Sequence, residues 1–438
     1  MKRWGTIFAS LFICFCSAPA VAQSPASPVP LLDASHAVDW WLAFKFNTAT
    51  APTSTSDPSR ACPFGGTVEP YPTGLSQAYA VASSTNATLR AGPGLIGTSA
   101  SDPVGATFAQ IYNGNYSYVV WNDQFYADPP VSGSAPFAHS KGLIAWGDDG
   151  RGIVLQVSTP SWPAAASART PRATDGNTLG CIHSTNNLKV SQHFFALRLT
   201  SADTAMVLQA AYNAGIPSRP GIEQIVHLQP HSPPELNALV ARLGDRTPSD
   251  AQPRIYALST GVRLISKPSN LGAPPWQVVS SLLGGEPLRV ASWWSGNGGF
   301  PSTPAVRPGC WSPSLATPGR VEIAMTGTWQ NSPIGLAGIS SPRGNHAKIG
   351  VSLPGGHNYT ILGDLNQAGR LQVECDREQN GRGGMFFVLS DTALWTSTSR
   401  LLSGTTAADG DRTVAEGAPR WTPPTRRLRN ARARLRHR

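Results

Sequence analysis

Charged residues and long apolar runs are both scarce in this chain of 438 residues. Asp, Glu, Lys and Arg make up 14% of it, whereas glycine (43 residues) and proline (39 residues) are abundant. This composition excludes a coiled coil and a charged disordered chain, and it is typical of a loop-rich, mixed α/β fold. Beyond the N-terminus no stretch is long and apolar enough to span a bilayer, so we expect no membrane partner.

The N-terminus has the pattern of a secretory signal peptide. Lys2 and Arg3 precede a short apolar stretch, which ends in the small-x-small sequence AVA at residues 20–22. We expect residues 1–22 to be removed and the mature protein to be secreted or periplasmic. The alternative is that this segment is retained as an N-terminal anchor.

Cysteines are also few, and their spacing argues against a metal site. Cys62, Cys181, Cys310 and Cys375 follow the signal peptide, an even number that suits an oxidising compartment. We expect the local pairing Cys62–Cys181 and Cys310–Cys375, although three connectivities are open. The spacing is too wide for zinc, and no carboxylate cluster or histidine-rich stretch suggests another ion, so no metal or cofactor is expected.

The formal net charge of +10 is concentrated at the C-terminus. Residues 406–438 hold nine arginines against three acidic residues, and the signal peptide adds two positive charges, which leaves the folded body only about +2. We interpret residues 406–438 as an Arg-rich disordered tail. It would either attract polyanions such as nucleic acid or be a solvated segment without a role.

The order of strand and helix patterns predicts two related halves, residues 23–230 and 231–405, each with a central sheet flanked by helices. Short runs of β-branched and aromatic residues predict strands at 37–46, 117–124, 151–159, 193–199, 254–260, 288–294, 320–327, 346–352 and 359–365. Helices are predicted at 202–214, 231–244 and 274–283. The second of these has Ser232 and Glu235 as a capping box.

One His-x-Lys motif lies in each half. "FAHSKGLIAW" (137–146) contains His139 and Lys141, and "GNHAKIGVS" (344–352) contains His346 and Lys348. Side chains two residues apart in a strand share a face, so each histidine and its lysine should point into the same space. A lysine on a buried face is costly unless an anion compensates it, and a phosphate would do so.

Two such motifs facing each other predict a complete phosphodiester site. One imidazole would attack phosphorus, the other would protonate the leaving oxygen, and the two lysines would hold the non-bridging oxygens. Because an ordinary histidine has a pKa of about 6.5, activity should be high near pH 5 and weak near pH 8.

Several segments, in order along the chain, resemble the deoxyribonuclease II family, whose fold is similar to that of the phospholipase D superfamily. The segments are "VDWWLAFKF" (38–46), "YVVWNDQ" (118–124), "HSKGLIAW" (139–146), "VSTPSWP" (157–163), "NTLGCI" (177–182), "SKPSNLGAPPWQVVSSLLG" (266–284), "NHAKIGVS" (345–352), "LGDLNQAGR" (362–370) and "GRGG" (381–384). The resemblance implies metal-independent cleavage of DNA at acidic pH, through a phosphohistidine, to 3′-phosphate and 5′-hydroxyl ends. It makes the two His-x-Lys motifs the catalytic set, and by superfamily analogy His139 is the nucleophile and His346 the general acid.

The resemblance also suggests residues that support the phosphate or the imidazoles, namely Asn366 and either Ser158 or Thr159. DNA should be held through its backbone in a cleft between the halves. By position alone, Arg343 and Arg382 are candidate backbone contacts, and surface charges are the equal alternative. Four tryptophans are predicted to be core residues rather than platforms for bases: Trp40, Trp41, Trp293 and Trp294.

This chain departs from the superfamily pattern in one respect that concerns the imidazoles. The aspartate expected after each His-x-Lys motif is displaced in the first copy, to Asp148 or Asp149, and is absent from the second.

Two other functions fit the same residues. A phospholipase D-like phosphodiesterase acting on lipid would use the same four side chains, and it would release choline rather than DNA fragments. A secreted nucleic-acid-binding protein with an inactive site would bind DNA and leave it intact at every pH. Because one chain carries both motifs, a monomer could form the site, and a homodimer would serve to clamp DNA.

Overall fold

The structure is a computed structural model, and it describes Met1 and residues 27–51, 78–96, 100–125, 131–132, 135, 137–159, 189–216, 225–243, 252–294, 301–368, 371–372 and 379–408. Residues 2–22 of the predicted signal peptide and residues 409–438 of the tail lie outside these ranges. So do Cys62, Cys181 and Cys375. Cys310 is disulfide-bonded, and its predicted pairing with Cys375 stays a prediction.

The described part of the chain forms nineteen strands and five helices. The strands are β1 (Trp40–Lys45), β2 (Tyr79–Ser83), β3 (Asn86–Ala91), β4 (Ser117–Asn122), β5 (Gln124–Phe125), β6 (Val131–Ser132), β7 (Lys141–Trp146), β8 (Gly152–Val157), β9 (Gln192–Leu199), β10 (Ile225–His227), β11 (Arg254–Ala257), β12 (Arg263–Lys267), β13 (Leu288–Ala291), β14 (Val321–Ile323), β15 (Thr326–Trp329), β16 (Ser332–Gly335), β17 (Ile349–Ser352), β18 (Tyr359–Gly363) and β19 (Gly384–Ser390). The helices are α1 (Pro103–Asn113), α2 (Ser201–Ala214), α3 (Pro234–Arg242), α4 (Pro275–Leu282) and α5 (Thr392–Leu401).

The two large sheets repeat one topology. The first has eight strands in the order β10-β4-β7-β8-β9-β1-β2-β3, and the second has seven in the order β11-β12-β19-β18-β17-β13-β14. The run β4-β7-β8-β9-β1 of the first sheet corresponds to β13-β17-β18-β19-β12 of the second, with the five strands in the same chain order. The predicted mixed α/β fold with two related, sheet-containing halves is therefore confirmed, while the exact boundary at residue 230 stays a prediction.

The two sheets pack face to face through a shared apolar core. Phe195 of β9 and Phe387 of β19 lie with their ring centroids 5.3 Å apart, so aromatic rings from the two sheets touch. α1 covers the other face of the first sheet with Phe108, and α4 covers the other face of the second with Trp276. Both faces of the central strands are thus buried, which explains why β7 and β8 have continuous apolar sequences rather than alternating ones.

Helix α2 joins the two sheets. Its Val207 and Leu208 lie in the shared core. At its N-terminus Thr200 and Asp203 form a capping box. The Asp203 carboxylate also accepts a hydrogen bond of 2.9 Å from the backbone N–H of Ser259, in the turn between β11 and β12.

Helix α3 confirms a predicted helix but not its predicted cap. The N-cap residue is Pro233, without a side-chain hydrogen bond. Ser232 instead donates to Asn237 Oδ1 at 2.7 Å and accepts from Trp146 Nε1 at 2.9 Å. The buried indole competes for the serine hydroxyl, which the sequence pattern alone does not reveal.

Among the described residues, no helix combines the length and hydropathy that a membrane crossing requires.

Candidate active site

Each His-x-Lys motif lies at the entrance to a strand, and the prediction that both lie inside strands is wrong. Lys141 is the first residue of β7, and Lys348 directly precedes β17. His139 and His346 come two residues earlier, outside the regular strands. All four side chains are nonetheless buried, each at most 4% exposed.

The backbone of each histidine is bonded to the opposite half of the molecule. The N–H of His139 donates to the carbonyl oxygen of Gly383, directly before β19, at 2.8 Å. The N–H of His346 donates to the carbonyl oxygen of Ser191, directly before β9, at 2.7 Å. These amides bond across to the other sheet rather than to a neighbouring strand, and this is why the regular strands begin only after the histidines.

The imidazoles are held crosswise as well. His139 Nδ1 lies 2.8 Å from the carbonyl oxygen of Asp364, directly after β18, and His346 Nδ1 lies 2.7 Å from the carbonyl oxygen of Ser158, directly after β8. A carbonyl oxygen can only accept a hydrogen bond, so the proton of each ring is assigned to Nδ1. At His346 the Nζ atom of Lys348, whose pKa burial lowers well below its ordinary value, lies 2.9 Å from the same Nδ1. In the neutral ring the lone pair is then on Nε2, and Nε2 is the reactive nitrogen of both histidines.

The two motifs, far apart in sequence, converge on one charged site. The pKa of His346 is lowered well below its ordinary value by burial, then by Lys348, and also by Lys141 and His139 of the first motif. Burial is likewise the main cause of the lowered pKa of His139, followed by Lys141, while Asp123 acts in the opposite direction. Both rings are therefore neutral in the unliganded site at neutral pH. A bound phosphodiester would favour the protonated form of each.

The two lysines of the site have different partners. Lys141 Nζ donates to Asp123 Oδ1 at 2.6 Å, and the same carboxylate accepts from Arg382. Lys348 Nζ donates to the carbonyl oxygen of His346 at 2.8 Å and has no carboxylate partner within the part of the chain that the structure describes. Burial, and then the charge of Lys141, lower the pKa of Lys348 well below its ordinary value, and a bound anion would favour the charged form of Lys348.

Arg382 is not a surface charge, and that interpretation of it was wrong. Its side chain is 3% exposed. The guanidinium donates to the carbonyl oxygens of Phe137 (2.8 Å) and Ala138 (2.6 Å), and to Asp123. Arg382 therefore holds the segment that leads into His139, and its proposed contact with the DNA backbone stays a prediction. Arg343 is exposed, and its proposed contact with DNA stays a prediction.

Among the predicted supporting residues, Ser158 contacts a histidine directly. Its carbonyl oxygen holds His346, while its hydroxyl donates to Gln192 Oε1 at 2.5 Å. Thr159 Oγ1 and Asn366 Oδ1 are buried and make no hydrogen bond to any described residue. Buried polar atoms normally have partners, so these two atoms are available for a ligand or an ordered water.

Two aspartates that the sequence analysis did not single out belong to the site, Asp123 and Asp364. The Asp364 carboxylate accepts hydrogen bonds from the N–H of Met385 at 2.8 Å and from Gln156 Nε2 at 3.1 Å, and burial raises its pKa to about 7. Both aspartates lie in segments that resemble the family, "YVVWNDQ" and "LGDLNQAGR", and that was the signal that could have found them. The displaced aspartate considered in sequence, Asp149, instead pairs with Arg151 at the surface.

Trp293 was also predicted wrongly as a core residue. It is half-buried, and its ring centroid lies 4.7 Å from that of His346. Trp41, by contrast, is fully buried in the core as predicted. The sequence could not separate the two, because both stand in apolar Trp-Trp pairs.

In the described ranges, no group of three or more His, Cys, Asp or Glu side chains is arranged to hold a metal ion. The side chains that are assembled are two imidazoles, two ammonium groups and their supports, which is a set suited to an anionic substrate.

A family model described as Deoxyribonuclease II matches residues 31–407 of the chain. This range contains every strand of both sheets and both His-x-Lys motifs. No match was found among curated proteins.

Proposed function

This chain belongs to the deoxyribonuclease II family and is a deoxyribonuclease; from that premise we propose that it is an acid endonuclease that needs no metal ion and leaves 3′-phosphate and 5′-hydroxyl ends. One observation carries the proposal. Each histidine has its Nδ1 proton held by a carbonyl oxygen of the opposite half, so that both Nε2 atoms are left for chemistry in a site rich in cations.

The proposed reaction has two steps. In the first, Nε2 of one neutral histidine bonds to phosphorus, the bond from phosphorus to O5′ breaks, and the other histidine, protonated, gives its Nε2 proton to O5′. In the second step, the histidine that gave up its proton takes a proton from water as the water oxygen bonds to phosphorus. The bond from nitrogen to phosphorus then breaks, and the 3′-phosphate leaves. We assign attack to His139 and proton donation to His346 by the superfamily analogy. A phosphohistidine trapped on His346 would reverse the order.

The supporting side chains act on the phosphate's charge. Lys141 and Lys348 neutralise the non-bridging oxygens as negative charge develops on them. Thr159 and Asn366 are proposed to bind the phosphate or its water, because their buried oxygen atoms have no partner among the described residues. Asp123 and Arg382 keep Lys141 in place.

The electrostatics of the site support an acidic optimum. Burial and neighbouring cations lower the pKa of both histidines, so protonating the general acid requires acidic solution. As pH rises, the protonated fraction falls and turnover falls with it. Bound phosphate shifts this limit upward, but the same cations continue to oppose it.

Digestion of a supercoiled plasmid in excess chelator, between about pH 4 and pH 8, tests the proposal. The wild-type protein should cut most rapidly near pH 5, and the new ends should carry 3′-phosphate. His139→Ala and His346→Ala should each lower the rate by at least about 10²–10⁴-fold. The matched control is His36→Ala, because the His36 side chain is 72% exposed and should leave cleavage unchanged.

Three results would contradict the proposal: cleavage that requires a divalent cation, cleavage that survives in both histidine variants, or intact plasmid at every pH. Release of choline from phosphatidylcholine by the same preparation would favour the lipid phosphodiesterase instead.

We also propose that the protein is exported, on the strength of its signal-peptide pattern. N-terminal sequencing of the protein secreted by an expressing host should begin at Gln23. An uncleaved N-terminus in the membrane fraction would point to the anchor.

A further inference from the structure

Two buried lysines lie outside the His-x-Lys motifs. The chain has six lysines, and among these Lys45 and Lys267 are at most 4% exposed. Lys45 is the last residue of β1 and Lys267 the last residue of β12, and these strands are equivalent in the two sheets. Burial lowers the pKa of each to about 7. Burying an ammonium group costs free energy, so two buried lysines at equivalent positions need a physical explanation.

Both ammonium groups bind backbone carbonyl oxygens. Lys45 Nζ donates to Phe46 at 3.0 Å and to Val190 at 2.9 Å. Lys267 Nζ donates to Asn380 and to Arg382, at 2.8 Å each. Hydrogen bonds from a charged donor are stronger than those between neutral groups, so these bonds fix the segments to which they are made.

The carbonyl groups that the lysines hold lie next to the anchors of the histidines. In strand register Lys45 is opposite Gln192, the first residue of β9, and Lys267 is opposite Gly384, the first residue of β19. Val190 and Arg382 both stand two residues before those positions. The residue between, Ser191 in the first half and Gly383 in the second, supplies the carbonyl oxygen that accepts the N–H of the histidine from the other half.

We propose that Lys45 and Lys267 are positioning residues, Lys45 for His346 and Lys267 for His139. Each lysine fixes the peptide next to the one that anchors the opposite histidine, and neither touches the substrate. The inference rests on the proposed phosphohistidine mechanism, in which a shift of about 1 Å at a reacting nitrogen costs about 10²-fold in rate.

The test compares two substrates with different leaving groups. DNA releases an alkoxide, which needs a proton from the general acid, whereas thymidine 3′-(4-nitrophenyl phosphate) releases a nitrophenolate, which does not. Loss of the nucleophilic histidine should abolish cleavage of both. Loss of the general acid should stop DNA cleavage but spare the first, stoichiometric release of nitrophenolate, because only the later hydrolysis of the phosphohistidine still needs that histidine as a base. The two histidine variants therefore have distinct signatures, whichever role each plays.

Lys45→Met should show the signature of His346→Ala, and Lys267→Met that of His139→Ala, with kcat lowered about 10- to 100-fold and KM for DNA little changed. Lys45→Gln and Lys267→Gln retain an N–H donor and should lose less. Lys189→Met is the control, because Lys189 is exposed and adjoins Val190 in sequence.

The proposal is overturned if a lysine variant shows the signature of the histidine in its own half, or if both lysine variants show one and the same signature. It is also overturned if only the melting temperature falls while kcat of the folded protein is unchanged. If neither the Met nor the Gln variant of a lysine accumulates as folded protein, that lysine serves the fold and not the histidine. If the wild-type protein cleaves neither substrate, the proposed function is contradicted instead.

Discussion

Backbone carbonyl groups hold most side chains of the site, but Lys141 is held by a carboxylate, that of Asp123. Its carboxylate bridges Lys141 and Arg382 in a buried cluster. Asp123→Asn would leave two buried cations without their counter-charge. We expect it to lower the free energy of unfolding by about 3–5 kcal/mol and to reduce DNA cleavage, because Lys141 loses its anchor.

The matched control for this prediction is Asp149→Asn. Asp149 pairs with Arg151 at the surface, where both side chains are more than a third exposed. Such pairs contribute about 0–1 kcal/mol, so urea unfolding should barely change. Equal losses in the two variants would show that the Asp123 cluster does not have the strength of a buried ion network.

The chemistry of the four motif residues could be predicted from sequence, but only part of their support could: Ser158 was expected and contacts His346, whereas Asp123 was not expected. Residue type and a repeated spacing identify the four residues in the sequence: His139, Lys141, His346 and Lys348. The partners of Asp123 are set by folding: it meets Arg382 across 259 residues of chain. No local pattern encodes such a pair, and only the family-like segments hinted at it.

At the scale of elements, α2 is expected to depend on more than an ordinary cap. Asp203 caps the helix and also accepts from the N–H and hydroxyl of Ser259 in the other half. Asp203→Ala should therefore lower the free energy of unfolding by about 2–3 kcal/mol, because it removes the charge-assisted hydrogen bonds to Ser259 as well as the capping-box bond to Thr200. Asp391→Ala removes only the cap of α5 and should cost about 1 kcal/mol. Urea titration distinguishes the two, and similar losses would mean that the Ser259 bonds contribute nothing.

Element type was predictable where burial on both faces gives an apolar run, as in β1, β4, β8 and β9. Element ends were less predictable. The segments that carry the histidines look like strand in sequence, yet the histidine N–H groups donate to carbonyl oxygens of the opposite half. The last two strands of the first sheet, β2 and β3, were missed, because small and polar residues predominate in them.

For the whole molecule, buried titratable groups set how stability changes with pH. The pKa values of three buried histidines are lowered, that of His193 to about 3, mainly by burial. Below about pH 6.5 the unfolded chain binds protons that the folded protein does not, so each histidine reduces stability as pH falls. Asp364 opposes them: its pKa of about 7 lets the folded protein hold a proton between pH 7 and 3.8, where the unfolded chain releases it.

Three histidines against one aspartate give a net loss of stability between pH 7 and pH 5. Lys45 and Lys267 add to this loss near pH 7, because their pKa of about 7 lies below the unfolded value. Each uncompensated proton is worth about 1.4 kcal/mol per pH unit. We expect the thermal midpoint of the free protein to be lower at pH 5 than at pH 7. In the inactive His139→Ala variant, a saturating oligonucleotide should reduce the difference between the midpoints at pH 5 and pH 7, because phosphate favours protonation of His346. A higher midpoint at pH 5 without ligand would contradict this balance.

The topological repeat was foreseeable only as a hint, from two short motifs in similar surroundings. The five-strand correspondence depends on β12 and β19, which the strand patterns did not identify, and the residues that fill equivalent positions differ. Ser191 and Gly383 each accept the N–H of a histidine although only Ser191 has a side chain, because only their carbonyl groups are used for that bond. Backbone equivalence of this kind leaves little trace in sequence.

Because His139 and His346 are each hydrogen-bonded to the opposite half, the spacing of the two sheets determines the positions of both reactive nitrogens at once. A solvent, mutation or cut that let the halves drift apart would spoil attack and protonation together, so no half-working enzyme should exist between the intact and the loosened form.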